Sequence, residues 1–376
     1  MPKINWVLER QTPTVVDVTS SVFSFNYEQG RRNYLDPYSG GILNVTLNNQ
    51  ANVAQYFGFN DIFTLSEPVT GYECSFWVQN VVFNDYPGNT GVSTVTVSLA
   101  DVLARNGRNV VDNVALTQQP TITQLEQLWR TNPYQIGDVE NFGTGESDAA
   151  AFTYNGSVLN YFNLITSTEK GGVYFTFDNV GLIARNQMTN SVSGFTFTRN
   201  SPTASAIAYQ TLNHNKAGLN FINNVTISPQ GLAEQTATNS ASLTAYGNAQ
   251  ETITTVDATT TQALGLAQWL AFSQSDPESE SWSIGFIDLI QNQTALDEFL
   301  NALFGEGKFN RIWDLVYRVP GAGSDSTESV AIEGIAVNAT PDQTTFEVFF
   351  SPATYYQFFT LNSSTLGILN TSRLGW

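Results

Sequence analysis

The stretch YECSFWVQNVVFNDYPGNTGVSTVTVSL, residues 72–99, limits the possible folds more than any other part of the chain. Its second half alternates with period two, so Val95, Val97 and Leu99 fall on one side and threonine and serine on the other. ECSFWVQNVVF reads as the strand before it, and the turn-rich residues Asp85 to Gly91 lie between the two. The pattern predicts a hairpin whose one face is buried and whose other face is polar but uncharged. The same text recurs. Val16, Val18, Val22, Phe23 and Phe25 alternate in VVDVTSSVFSFNYEQG, and Ile42, Leu43, Val45 and Leu47 sit in GGILNVTLNNQ. GGVYFTFDNVGLIARNQ reads as a hairpin turning at Asp178 to Gly181, and SGFTFTRN and NFINNVTISP continue the pattern. RIWDLVYRV, SVAIEGIAV and TTFEVFFSP add strands near the end. Only 13% of residues are charged, against roughly 25% in ordinary soluble proteins. Asn, Thr, Ser and Gln take their place, which suits sheets better than salt-bridged helices.

Helical text is scarce. In TTTQALGLAQWLAFSQSDP, residues Ala263, Leu264, Leu266, Ala267, Leu270 and Phe272 form an apolar stripe, one of Thr259, Thr260 or Thr261 can cap it, and Asp276-Pro277 stops it. TALDEFLNALFGEG puts Leu296, Phe299, Leu300 and Leu303 at helical spacing before Gly305. TITQLEQLWRTNPY predicts a short helix capped by Thr121 and ended before Pro133, and SLADVLAR predicts one or two turns capped by Ser98. QIGDVENFGTGESDAAAF reads as a loop or linker, and strand-like text resumes at residue 161. The expected fold is therefore mainly β, of β-sandwich or β-barrel domains with a few short helices. The expected division is an N-terminal β-domain at 1–105, a helical and loop linker at 106–160, and a second β-rich region at 161–376 with packed helices at 259–275 and 294–304.

The chemistry-bearing residues are few. The only histidine, His214, lies in the polar stretch NHNKAG, and the only cysteine, Cys74, has no partner for an internal disulfide. One His and one Cys cannot build the usual zinc sites within a subunit, and no G-x-S-x-G, P-loop or strand-borne G-x-G-x-x-G text occurs. Asp276, Glu278 and Glu280 stand beside Trp282 in SDPESESW, where a glycosidase pair is conceivable and a solvated loop is the simpler reading. Asp325 with Asp276 or Asp85 offers oxygen ligands for calcium without the spaced loop that calcium sites use. Tyr355, Tyr356, Phe358 and Phe359 crowd together as a sugar platform or, more simply, as core or interface. The residues thus predict no catalytic, cofactor-binding or metal site. Net charge is −18 with four lysines (Lys3, Lys170, Lys216, Lys308), which argues against direct nucleic-acid binding and against docking on anionic membranes. The start MPKINWVLERQ has no apolar signal core, and no run is long enough for stable membrane insertion, so synthesis in a cytoplasm is expected.

Several short strings occur together in an order that resembles the minor tail proteins, or tail-tip and baseplate-hub proteins, of long-tailed phages. Gly30, Arg31, Leu35, Asp36, Gly41, Leu47 and Asn49 carry the first part, with Asn48-Asn49 where an Asp-Asn step is common. Phe76-Trp77-Val78, Thr94-Val95-Thr96 and Asp101-Val102-Leu103 follow. Tyr246, Gly247, Leu266, Ala267, Trp269, Leu270 and Pro277 carry the second part, then Ile332 to Val337, Pro341-Asp342 and the closing Ser364 to Leu369 and Arg373 to Gly375. The resemblance implies a tail-hub-like β fold, a structural place in a virion tail, other tail proteins as partners, and a homo-oligomer, commonly a trimer. The rival reading is a receptor-binding or carbohydrate-binding tail protein. The apolar closing run Leu366 to Trp376 is expected to be buried, either in the protein's own last strand or against a neighbouring subunit.

Overall fold

One long sheet winds through both halves of the chain. The computed structural model describes residues 4–85, 93–132, 139–141, 145–176, 179–183, 192–216, 221–276, 280–304, 312–319 and 321–356. From one end the sheet runs Val16–Asp17, Val7–Arg10, Ile62–Glu67, Tyr72–Asp85, Ser93–Ala100, Ser39–Asn48, Val22–Gly30 and then Ser326–Ala339. There it divides. One arm continues through Ile312–Tyr317, Val192–Thr198 and Ala206–Ala208, and the other through Thr344–Pro352, Glu280–Ile287 and Thr211–Lys216.

The predicted hairpin is present: Val81 pairs with Val97 and Phe83 with Val95 between Tyr72–Asp85 and Ser93–Ala100. Val95, Val97 and Leu99 are fully buried, as are Leu43, Val45 and Leu47 on the neighbouring strand Ser39–Asn48. The opposite face shows why charge is so sparse. Asn44 donates to Asn26 at 3.2 Å, Ser98 donates to Asn44 at 2.7 Å, and Asn84 donates to Thr96 at 3.3 Å. Short neutral side chains thus satisfy one another across strands, where longer charged ones would have to be ordered at an entropic cost.

Both helices predicted to pack in the second half form. Thr260–Ser273 starts at Thr259, whose hydroxyl accepts from the Gln262 amide at 3.2 Å. It buries Ala263, Leu266, Ala267, Leu270 and Ala271 against the small sheet of Gln235–Thr238, Asn224–Pro229 and Gln250–Thr255. Leu264, expected on the stripe, is only partly buried. Gln293–Phe304 drives Phe299 among Phe197, Phe286, Trp313 and Phe346, and so fills the inside of the C-terminal part of the sheet.

Residues 106–160 form more structure than a linker reading predicts. Thr121–Thr131 forms as expected, but Thr121 is its first helical residue, and its hydroxyl donates to the buried Glu169. Burial pushes the Glu169 carboxyl up, against the pull of Thr121 and the Glu146 and Ser147 amides. The supposed loop contains the strands Val139–Asn141 and Asp148–Ala149. Val158–Glu169, read as strand-like from residue 161, is a helix capped by Ser157, which accepts from the Asn160 amide at 3.1 Å. Its buried Val158, Tyr161, Phe162 and Ile165 do follow helical spacing, but their β-branched and aromatic identities disguise it. The short helix after Ser93–Ala100 is Val102–Asn106, capped by Asp101, while Ser98 stays in the strand. Gly172–Thr176 and Asn179–Ile183 pair antiparallel with Thr176 opposite Asn179, so Asn179 to Gly181, read as turn, belong to the second strand. The expected burial of Leu366 to Trp376, the Gly305 and Pro277 stops, and Phe358, Phe359 and Glu278 lie outside the described residues.

Candidate functional site

The point where the long sheet divides is also its most unusual chemical environment. Ser326–Ala339 pairs with Ile312–Tyr317 through residues 326–331 and with Val22–Gly30 through residues 334–339, both along one edge. Between these two neighbours lies a bulge: Ile332 faces Phe350 and Gly334 faces Phe349, which leaves Glu333 unpaired in the ladder. A bulge re-aims a side chain, and here it turns a carboxylate inward. Glu333 is fully buried. Arg31 Nε donates to its Oε2 at 2.7 Å, and the Ser351 and Tyr356 hydroxyls donate to its Oε1. Arg31 Nη2 also reaches the Tyr356 hydroxyl at 3.1 Å, and the guanidinium lies over the rings of Tyr34 and Tyr38, 4.9 and 4.7 Å from their centroids.

The backbones close around this pair. The Arg31 amide donates to the Glu333 carbonyl at 3.0 Å. A side chain on Gly334 would come 2.5 Å from the Arg31 carbonyl, and one on Gly30, at φ +88°, would come 2.4 Å from the Glu333 carbonyl. Burial works to strip the Arg31 charge, but the Glu333 carboxylate together with Tyr38, Tyr356 and Tyr34 outweighs it, so the guanidinium holds its proton more firmly than in water. Two strings of the phage-tail resemblance, Gly30-Arg31 and Ile332 to Val337, thus meet across the fold as one ion pair.

A second pair of strings meets at Asp101. Its carboxylate is fully buried and accepts from the Gly41 and Ala104 amides, each at 2.7 Å, and from the Tyr27 hydroxyl at 3.2 Å. Burial pushes its carboxyl up to about 6, against the Ala104 and Gly41 amides. Asp257, 1% exposed beside the Thr255 hydroxyl, is pushed up to about 6 by burial as well. Both carboxyls bind protons more tightly folded than unfolded. Their contribution to stability is therefore full below the ordinary carboxylate pKa and is lost as pH rises through about 6. Between pH 4 and 7 each costs the fold about 2–3 kcal/mol. Thermal melts of the wild type and of Asp101→Asn/Asp257→Asn across that range should show a flatter pH dependence in the variant. Parallel curves would refute the assignment.

The residues with chemical potential are otherwise dispersed. His214 stacks on Trp282 (5.5 Å, 18°) and meets the edge of Tyr317. Asp325 is bonded by Arg318 at 2.7 Å and Arg199 at 3.2 Å, so two guanidiniums occupy the place the calcium reading gave to a metal. Asp276 is exposed. Cys74 is buried. Among the described residues no three His, Cys, Asp or Glu side chains gather as a metal site would require. Of the aromatic crowd near the end, Tyr356 is core and bonded to Glu333, while Tyr355 packs on Tyr34 at 5.5 Å. The Asn48-Asn49 departure has a local role: Asn48 accepts from the Gln50 amide and Asn49 from the Ala54 amide, so both shape the following turn. Among the described residues no helix is long and apolar enough to cross a membrane. Sequence reasoning passed over Glu333. The signal was present, as a lone acid in the apolar run SVAIEGIAV.

No known family and no curated protein matches the sequence. Solved structures do match the fold over nearly its whole length. The 43 kDa tail protein of prophage MuSo2 from Shewanella oneidensis is 13% identical, with a TM-score of 0.58, covering 94% of this chain and 98% of the other. The tail protein from Neisseria meningitidis MC58 is 10% identical with a TM-score of 0.61, covering 93% and 96%. Prophage tail protein gp18 from Listeria monocytogenes EGD-e is 9% identical with a TM-score of 0.52, covering 92% and 94%. The fold is that of these tail proteins: mainly β, with short helices packed on a curled sheet.

Proposed function

We propose that this chain is a structural component of a phage virion tail, placed at the tip or the baseplate hub, and that it works by assembly with other tail proteins and with copies of itself. The observation that carries this reading is the likeness to the MuSo2 tail protein, which extends over 94% of this chain and 98% of that one. A match of such extent concerns the whole architecture, where a shared module would cover only part of each chain. One histidine, one cysteine, four lysines and no recognised nucleophile motif support a role without catalysis. The neutral, hydrogen-bonded sheet faces suit large subunit contacts, which in permanent assemblies bury roughly 2,000 Å² or more.

Electron microscopy of particles carrying a tagged copy tests the placement. Density for the tag at the tail tip is expected, and density confined to the capsid or tube would overturn the proposal. The absence of catalysis has its own test. Particles bearing Glu278→Gln and Glu280→Gln together should assemble and infect as the wild type does. Normal particles that fail to infect would place an active or receptor-binding site at those two acids.

A further inference from the structure

Acids outnumber bases 33 to 15 in this chain, so an arginine without a carboxylate beside it is unexpected. Arg10, Arg31, Arg32, Arg130, Arg199 and Arg318 each lie within 3.9 Å of one. The other two described arginines, Arg105 and Arg108, form no ion pair among the described residues and stand together. Arg105 lies in the last turn of the helix Val102–Asn106, and Arg108 lies in the turn that leads to the strand Val110–Leu116. That turn is fixed from several sides. The Arg108 amide donates to the Arg105 carbonyl at 3.2 Å, the Asn109 amide to the Asn106 carbonyl at 3.2 Å, and the Val158 amide to the Asn109 carbonyl at 3.0 Å. The Asn109 side-chain amide donates to Asn106 Oδ1 at 2.9 Å. Both guanidiniums therefore extend from backbone that is already ordered. Arg105 is partly buried, and its Nε is shut off from water without an acceptor, while Arg108 is exposed. Burial, and then the charge of Arg108, pull the Arg105 guanidinium below its usual pKa. A helix C-terminus favours one cation, but the second opposes the first. The fold thus holds two like charges together and places none of its surplus acids beside them.

We infer that Arg105 and Arg108 receive carboxylates of a second copy of the chain. The inference rests on the self-assembly half of the proposed function. Charge complementarity selects the occupant. Two copies at −18 repel at long range, and this pair is a local site of opposite sign that the acids of another copy complement. Guanidinium forks match carboxylates in geometry. Part of the desolvation of Arg105 is already incurred in the lone copy, so pairing gains more there than between two fully hydrated ions. Val110, two residues beyond Arg108 and 65% exposed, adds apolar area to the contact. Two arginines are too few to hold a nucleic-acid backbone against a net charge of −18. The pair repels its own image, so no two-fold axis passes through it and the contact joins unlike surfaces.

Sedimentation of the purified full chain at varied concentration tests this. The wild type should associate reversibly at ~100 µM, and raising salt from about 0.05 to 0.5 M should weaken the association. Arg105→Gln/Arg108→Gln should weaken it at least about tenfold, with melting unchanged or raised because the lone copy loses a repulsion. Arg108→Glu alone, at an exposed position, should weaken it by at least as much, since it sets a like charge against the incoming acid. Arg32→Gln/Arg130→Gln makes the same change in net charge as the first variant, on side chains 62% and 64% exposed, and should shift association less than about twofold. Equal weakening by the two double variants would assign the effect to overall charge. Association of the Arg105 and Arg108 variants as strong as that of the wild type would show that the pair is not the contact. Either result overturns the inference and leaves self-assembly standing. A wild type that stays monomeric at that concentration overturns the inference and self-assembly together, and the tail placement is decided separately by microscopy of tagged particles.

Discussion

Glu333→Gln should lower the free energy of unfolding by about 3–5 kcal/mol, measured by urea denaturation. The amide keeps the shape of the side chain but leaves the Arg31 guanidinium, itself 3% exposed, without its counter-charge. Water cannot replace that charge, because Tyr34, Tyr38 and Tyr356 wall the site. The amide also presents donors where Ser351 and Tyr356 already donate, so the loss is greater than that of one hydrogen bond. Arg31→Met combined with Glu333→Leu removes both charges and should recover part of the loss, since the cost lies in the unpaired ion more than in the absent pair. A single substitution that costs less than about 1 kcal/mol would show that the junction tolerates an unpaired arginine, and the ion pair would then not hold Val22–Gly30 against Ser326–Ala339.

Leu270→Asp should unfold the region around Thr260–Ser273 altogether. Leu270 is fully buried on the helix face that meets the Asn224–Pro229 sheet. The change removes a packed side chain, at about 2–5 kcal/mol, and buries a carboxylate without a partner, which adds several more. Gln268→Asp, two residues earlier on the exposed side, should change stability by no more than about 0.5 kcal/mol. Comparison of the two by thermal melting separates burial from simple insertion of an acid into the helix. Similar destabilisation by both would mean that the helix is turned about its axis relative to the structure described above.

The strands and the two long helices were legible because their signals are local. Val95, Val97 and Leu99 alternate within a single stretch, and Thr259 caps a helix whose apolar stripe follows directly. Solvation of one face against burial of the other is enough to write that periodicity into the sequence. Where two local rules compete, the reading failed. Tyr161, Phe162 and Ile165 have strand-favouring identities at helical spacing, and packing of both faces decided for the helix Val158–Glu169. Ser98 and Asp101 both qualify as caps, and the choice fell to Asp101 because Gly41 and Tyr27 of two other strands complete its hydrogen bonds.

The scarcity of charge already implied neutral sheet faces, and the order of short strings already resembled a phage tail protein. What the sequence could not disclose is how its two halves join. Arg31 and Glu333 stand 302 positions apart. Their pairing depends on a bulge at residue 333 and on two glycines that let the backbones approach, and both acquire meaning only when Val22–Gly30 and Ser326–Ala339 lie side by side. Local periodicity settles which face of each strand is buried. Only tertiary structure brings a buried acid to its buried base, because the energy that selects the pairing is the cost of leaving either charge alone out of water.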